Sequence, residues 1–299
     1  MITIKYSDKV QHAIDKNNPM IALESTILAH GMPYPANIDF ANKAEDTARE
    51  MGVTPATIAI FDGIIHVGLS PEKIHQLCEG KNIQKVATRD IAWTCSHKLN
   101  GATTVSATMK IAHLANISVF ATGGIGGVHR NLSHSLDISA DLFELSRTPV
   151  IVVSAGAKSI LDLSNTLELL ETLSVPVIGM KTDEFPAFYS QHSGHKLTMS
   201  TSSAEMIAKV FQANRALDLT SGLLIANPVP AAYAISEERI EAVTEKLVQQ
   251  AASLGIRGKA LTPWLLKHLV ESEGPQLLET NMALAINNIK VACEIAKSL

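Results

Sequence analysis

Four β-branched residues in a row, Val150-Ile-Val-Val153, run into Ser154-Ala-Gly-Ala-Lys158 and then into leucines at helical spacing. A short unbroken apolar run of this kind is the mark of a strand buried on both faces, as parallel strands are. Ser154 to Ala157 are small and let the chain turn closely. From Ser159 onward Ile160, Leu161, Leu163, Leu167, Leu170 and Leu173 recur on one side, which predicts a helix. A strand that feeds a helix calls for an α/β fold, whose parallel strands need covering helices. Lys158 is expected where the strand ends and the helix begins, the edge at which α/β proteins place ligands.

The same grammar recurs along the chain. Pro19 to Leu23, Ser118 to Ala121, Pro176 to Met180 and Gly222 to Ala226 read as further strands. Ala56 to Phe61 and Ile64 to Val67 flank Asp62-Gly63, a hairpin signal. Ser70-Pro71 opens a helix as cap and first residue. Asn37 is placed to cap a helix that runs to about Met51. Met1 to Asn18 reads as a lead-in helix, and Lys181 to Ser202 as an irregular, polar candidate lid. Helices are expected at about 204–217, 237–254, 263–271 and 276–298, which makes the C-terminal part mostly helical. No repeat or linker interrupts the sequence, so residues 1–299 are expected to form a single domain. Apolar residues make up 46 % of 299, enough for a sizeable core, but aromatics only 4 %, so that core must be chiefly aliphatic.

Charge and cysteines exclude some classes. The net charge of −4, without a basic stripe, argues against nucleic acid as a partner. Cys78, Cys95 and Cys293 have no metal-ligand spacing and suit free thiols in a reducing compartment. Met1 to Lys16 lacks the apolar core of a signal peptide, and no run suits a membrane span, so a cytoplasmic location is expected.

Several polar clusters carry chemistry. A lysine at a helix start is destabilised as a cation, by the helix dipole and by burial, so Lys158 is either a nucleophile of lowered pKa or a phosphate-binding or solvent-seeking cation. Asn100-Gly-Ala-Thr-Thr-Val-Ser-Ala-Thr108 is a hydroxyl-rich helix entry, suited either to a phosphate or to ordinary capping. Thr122-Gly-Gly-Ile-Gly-Gly-Val-His-Arg130 fails the dinucleotide pattern, because His129 stands where the last glycine is required. Asp137 and Asp141, four apart, would share a helix face beside His129 and His134. They suit either a hard cation such as Mg²⁺ or Mn²⁺ or a solvated helix start. Asn281 and Asn288, seven apart on an apolar helix, are buried amides that must find partners, either a ligand or a neighbouring helix.

Taken together, Ala22-Leu-Glu-Ser-Thr-Ile-Leu-Ala-His-Gly-Met-Pro33, Asn100-Gly-Ala-Thr-Thr-Val105, Ala121-Thr-Gly-Gly-Ile-Gly-Gly-Val-His-Arg130, Asp137-Ile-Ser-Ala-Asp141 and Ser154-Ala-Gly-Ala-Lys-Ser-Ile-Leu-Asp162 resemble the pseudouridine-5′-phosphate glycosidases of the indigoidine synthase A-like group. The resemblance runs from about Pro19 to the C-terminus. It implies a three-layer α/β/α core, a homotrimer, one Mn²⁺ or other divalent metal per subunit, and reversible cleavage of pseudouridine 5′-phosphate to uracil and ribose 5-phosphate. It further implies Lys158 as Schiff-base nucleophile, Glu24 as proton donor and Asp137 as metal ligand. Lys85, Val105, Ser139, Ala140, Asp141 and Asn281 are implied to contact substrate, and Asp141 is also a candidate for proton handling at the sugar.

The chemistry is coherent with that set. A C–C glycoside has no heteroatom leaving group to protonate. An amine condensed with C1′ of the opened sugar makes an iminium, an electron sink beside the bond that breaks, and C5 of uracil must take a proton. A Schiff-base lyase or aldolase acting on another phosphosugar, and a non-catalytic sugar-phosphate sensor, are the competing expectations.

Overall fold

The computed structural model describes residues 2–130, 136–256 and 261–299. Along the chain come β1 (Ile4–Tyr6), α1 (Asp8–Lys16), β2 (Met20–Leu23), α2 (Ala36–Glu50), β3 (Thr54–Phe61), β4 (Ile64–Val67), α3 (Pro71–Glu79), β5 (Ile83–Val86) and α4 (Ile91–Ser96). Then come β6 (Asn100–Thr103), α5 (Val105–Leu114), β7 (Val119–Ala121), β8 (Val128–His129), α6 (Ala140–Arg147), β9 (Ile151–Ser154), β10 (Leu161–Asp162) and α7 (Leu163–Thr172). The last are β11 (Val177–Met180), β12 (Met199–Thr201), α8 (Ala204–Ala216), β13 (Leu223–Ala226), α9 (Glu237–Ser253), α10 (Leu261–Glu273) and α11 (Pro275–Ala296).

The core is a parallel sheet in the order β3-β2-β7-β9-β13-β11-β12, with helices packed on its faces in three layers. The strands read from sequence as apolar runs are buried almost throughout, as strands covered on both sides must be. β3 is long enough to serve two sheets. Its first half pairs with β2, and its second half pairs antiparallel with β4 and β6. The hairpin turn between β3 and β4 puts Asp62 and Gly63 at φ of 51° and 75°, the left-handed conformation that an Asp-Gly turn supplies. β1 and β5 extend this second sheet at its two ends.

The all-helical C-terminal part is as expected, and α11 lies against β2, β7 and β9. One continuous aliphatic cluster runs from Val10 to Ala296. Among the described residues no helix is long and apolar enough to cross a membrane.

Four local expectations change. Residues 4–6 form an edge strand before α1, because the register of β4 offers Ile4–Tyr6 a partner that local propensity cannot see. Pro35, not Asn37, precedes α2. Asn37 is buried in the first turn, and its amide donates to the carbonyls of Leu28 and Cys78, both at 2.8 Å. The helix after Lys158 starts only at Leu163, capped by Asp162. The stretch between folds back so that β10 can pair with β8, which removes the helix-dipole argument for Lys158. Residues 181–202 are not a loose polar lid. Phe185 to Ser190 are buried, and Met199–Thr201 adds an edge strand to the parallel sheet.

Candidate active site

The strands β2, β7 and β9 end side by side, and each releases a polar residue at its carboxyl edge. β2 delivers Glu24, β7 delivers Thr122, and β9 leads into the Ala155–Lys158 turn. Glu24 is only 6 % exposed. Its two carboxylate oxygens accept hydrogen bonds from the hydroxyls of Thr26 and Thr122, which fixes the carboxylate against rotation. Ser25 secures the same strand end from behind. Its hydroxyl donates to the Ile58 carbonyl at 2.6 Å and accepts the Thr103 N–H at 2.8 Å.

The Lys158 turn is tied to the glycine loop after β7. Lys158 N–H donates to the Ile125 carbonyl at 3.1 Å, and Leu161 N–H donates back to the Lys158 carbonyl at 3.0 Å. Arg130 reaches across to the Ser159 carbonyl at 3.1 Å and forms a two-pronged pair with Glu241, so α9 is fastened to this turn.

Asp137 and Asp141 do not share a helix face. Asp137 precedes α6, which begins at Ala140 with Ser139 as its cap, and Asp141 lies in the first turn. Asp141 is a clamp between two remote loops. One oxygen accepts Ser106 N–H at the start of α5 at 2.9 Å, and the other accepts Gly126 N–H at 2.8 Å. A Cβ on Gly126 would come within 2.3 Å of the Ser139 hydroxyl, so the glycine run serves close approach and not a dinucleotide. The hydroxyl-rich entry to α5 thus meets a carboxylate of this chain at Ser106.

These elements enclose two connected recesses. The larger, about 390 Å³, is lined by Lys85, Val105, Asp137, Ser139, Ala140, Asp141, His129 and Lys158 among others. The smaller, about 50 Å³, is lined by Glu24, His30, Lys85, Phe188, Lys158 and Asn281 among others. Lys85, Lys158, Thr26 and Thr262 line both. All nine site residues expected from the sequence therefore converge here, although the chain separates Glu24 from Asn281 by most of its length. His134 lies outside the described residues.

The electrostatics centre on Lys85. Burial and the neighbouring Lys158 cation pull its pKa down to about 8, against the opposing pull of Asp141, Glu24 and Asp137. Burial likewise lowers His30, with help from Lys85. Burial lowers His129 too; Asp137 opposes it, and Lys85 and Lys158 add to it.

The two asparagines of α11 part company. Asn281 faces the smaller recess, and its side-chain oxygen has no hydrogen-bond partner among the described residues; the same holds for His30 Nε2. Asn288 is wholly buried. It donates to the Thr122 and Gly123 carbonyls at 2.8 and 3.3 Å and accepts from Asn227 at 2.9 Å.

Sequence reading missed Thr26, Thr122, His30 and Thr262. Thr26 and His30 lie within the quoted Glu24 motif, but nothing in the spacing assigns them a role. Thr262, whose hydroxyl is 3.3 Å from His129 Nε2, comes from a helix with no polar motif at all.

For a divalent cation, the described residues hold no group of three or more His, Cys, Asp or Glu side chains. Asp141 is committed to two N–H groups. Asp137 offers a carboxylate to the larger recess, and one carboxylate completed by water is how Mg²⁺-like ions are often held, so the residues fit a mostly hydrated hard cation.

A family model described as indigoidine synthase A like protein matches residues 9–298. A protein of Alkaliphilus metalliredigens named pseudouridine-5′-phosphate glycosidase is 48 % identical over 296 residues, covering 99 % of this chain and 96 % of that protein. A protein of the same name from Caldanaerobacter subterraneus subsp. tengcongensis is 49 % identical, again covering 99 % and 96 %. Among solved structures, an indigoidine synthase A-like protein of Thermotoga maritima superposes with a TM-score of 0.90 at 36 % identity, covering 99 % of this chain and 96 % of that one. The prealnumycin C-glycosynthase AlnA, solved in complex with ribulose 5-phosphate, superposes with a TM-score of 0.91 at 34 % identity, covering 99 % and 97 %. With the fold, the site and the relatives in agreement over nearly the whole length, the chain belongs to the indigoidine synthase A-like family.

Proposed function

We propose that this protein is an enzyme that reversibly cleaves the C–C glycosidic bond of pseudouridine 5′-phosphate, giving uracil and ribose 5-phosphate, as part of pseudouridine breakdown. The observation that carries the reading is the convergence of Lys158, Lys85 and the threonine-held Glu24 on one recess, in a chain whose relatives bear the name of that activity. AlnA adds support from its own name and ligand, a C-glycosynthase with a pentose phosphate bound.

In the cleavage direction Lys158 Nζ, as the free amine, forms a bond to C1′ as the bond from C1′ to the ring oxygen breaks. Asp141, oriented by Ser106 and Gly126, passes a proton from the new ammonium nitrogen to that oxygen, which restores a lone pair on nitrogen. That lone pair then expels C5 of uracil, which takes a proton from Glu24, and leaves a Schiff base on Lys158. Water hydrolyses it, releasing ribose 5-phosphate and restoring the amine.

Lys85, Val105, Ser139, Ala140 and Asn281 hold the substrate. Lys85 is the cation for the phosphate end, and Asn281 offers its unpaired oxygen to a base N–H. A divalent cation on Asp137, when bound, supplies charge neutralisation and ordered water beside the sugar. A homotrimer in the cytoplasm completes the reading, and light scattering of the purified protein tests the assembly.

The deciding experiment follows uracil release from pseudouridine 5′-phosphate with Mn²⁺ present, for wild type and Lys158→Ala. Uracil from wild type alone is expected. Uracil from both would remove Lys158 as nucleophile. Uracil from neither, with folded protein, would overturn the activity in favour of a lyase on another phosphosugar or a sensor. Because Lys85 has the depressed pKa, borohydride trapping followed by peptide mapping must place the adduct on Lys158 and not on Lys85.

A further inference from the structure

A cleft of about 940 Å³ opens between β1, the N-terminal ends of α1 and α3, α2 and the start of β3. It shares no lining residue with the recesses around Lys158. Its lining carries the cations Lys5, Lys9, Lys73 and Arg49 against the carboxylates Asp8 and Glu45. Arg49 and Glu45 are spent on each other, and Glu45 also accepts the Thr57 hydroxyl at 2.7 Å. Lys5, Lys9 and Lys73 form no ion pair with any described residue; Lys73 Nζ rests 4.5 Å over the Phe61 ring.

Two helix starts meet at this cleft. Ser7 caps the nine-residue α1 and Ser70 caps the nine-residue α3. They are drawn together at Gly68, where a Cβ would fall 2.3 Å from the Ser7 hydroxyl and where φ is +82°. The first turns of two helices thus line one space, a setting that favours an anion, with Asp8 and Glu72 as the carboxylates of those turns.

The independent sign of a ligand is His66. It lines the cleft, is only 7 % exposed, and makes no hydrogen bond to any described residue. It stands opposite Lys5 in the β1–β4 register. Burial, with Lys73 and Lys5 nearby, pushes it down to about 4, so at neutral pH it keeps one ring N–H to donate. The ring packs edge-on against Phe61, with centroids 5.9 Å apart, and its nitrogens reach the cleft without a protein hydrogen-bond partner among the described residues.

We propose that this cleft is a second ligand site, separate from the catalytic cavity, that binds a phosphate-bearing small molecule. The lysines and helix starts hold the phosphate oxygens, and His66 donates to one of them. The volume admits a ligand of nucleotide size as well as free phosphate.

Equilibrium dialysis at low ionic strength tests this, with labelled inorganic phosphate in one arm and uridine 5′-monophosphate in the other. Wild type, Lys85→Ala, Lys5→Ala/Lys73→Ala and His66→Phe are compared, with circular dichroism confirming that each is folded. Lys85→Ala weakens binding in the catalytic cavity, so ligand that stays bound to it reports the cleft. That component is expected to weaken at least about tenfold when Lys5→Ala/Lys73→Ala is added, and also with His66→Phe. The arm with the tighter binding identifies free phosphate or the monoester as the occupant. The proposal is overturned if Lys85→Ala retains neither ligand, or if Lys5→Ala/Lys73→Ala binds both as wild type does. Uracil release without added phosphate is expected to be unchanged in Lys5→Ala/Lys73→Ala, which separates this outcome from failure of the catalytic reading.

Discussion

The two ends of the active-site cavity are built on different principles. At the Glu24 end the chain has closed down to about 50 Å³, and the carboxylate is gripped by two threonine hydroxyls with Phe188 beside it. At the Asp137 end the recess is about 390 Å³, lined by Asp137, Ser139 and Asp141 together with Arg89 and apolar side chains such as Leu136 and Leu161. On the proposed reading, the narrow end takes the flat heterocycle whose carbon receives a proton from a group that cannot turn away, and the wide end takes the sugar phosphate whose ring opens. Lys158 and Lys85 line both recesses, and on the same reading C1′ lies at Lys158 while the phosphate reaches Lys85.

The strongest test of that division is to remove what stands at the junction. Lys158→Ala is expected to lower uracil release on the order of 10⁴-fold while leaving the melting temperature near that of wild type. An intact rate would break the comparison outright.

Next in size is the narrow end. Glu24→Gln is expected to reduce kcat by about 10²–10⁴-fold with KM little changed, because it removes the acid and keeps the shape. Thr122→Val, which frees one side of the carboxylate, is expected to cost about tenfold in kcat, roughly the worth of one hydrogen bond to a charged group. If Thr122→Val were as harmful as Glu24→Gln, the threonines would be doing more than positioning.

The wide end is read out by pH. Lys85 is a cation below its pKa of about 8 and neutral above it, so the hold on a phosphate proposed for it would be present below pH 8 and lost as pH rises through that value. KM is therefore expected to climb above pH 8 in wild type and to stay flat in Lys85→Arg, whose guanidinium remains charged. A KM that is flat for wild type would move the phosphate away from Lys85.

The smallest expected effect lies in the support of the narrow end. Asn288→Ala strands the Thr122 carbonyl and the Asn227 amide and is expected to destabilise the fold by about 1–3 kcal/mol in urea denaturation. Activity below the unfolding transition is expected to fall less than with Thr122→Val, since Asn288 acts on Glu24 only through the Thr122 backbone.

The sequence was most legible where the signal was local. The Asp62-Gly63 turn, the Ser70 cap, the apolar strands and the C-terminal helices follow from spacing and turn chemistry, and they stand in the structure. It was least legible where a residue's partner is far along the chain. Lys158 reads locally as the junction between a strand and a helix that follows at once from Ser159. The pairing of Leu161 with His129 overrides that reading and delays α7 until Leu163. Asp137 and Asp141 read as a helix-face pair, but the Ser139 cap separates them, and Ser106 and Gly126 claim Asp141.

By itself, then, the sequence determined the element types, the aliphatic core and the motif residues that mark the family. Those properties depend on periodicities of two and 3.6 residues and on side-chain chemistry that each segment carries alone. Only the tertiary structure decided the order of the strands, and with it that Thr122 would reach back 98 residues to hold Glu24. It also decided that Asn281 would face the site while Asn288 braced it. Strand order is settled by burial summed over the whole chain and by backbone partners remote in sequence, and no single window of residues contains that sum.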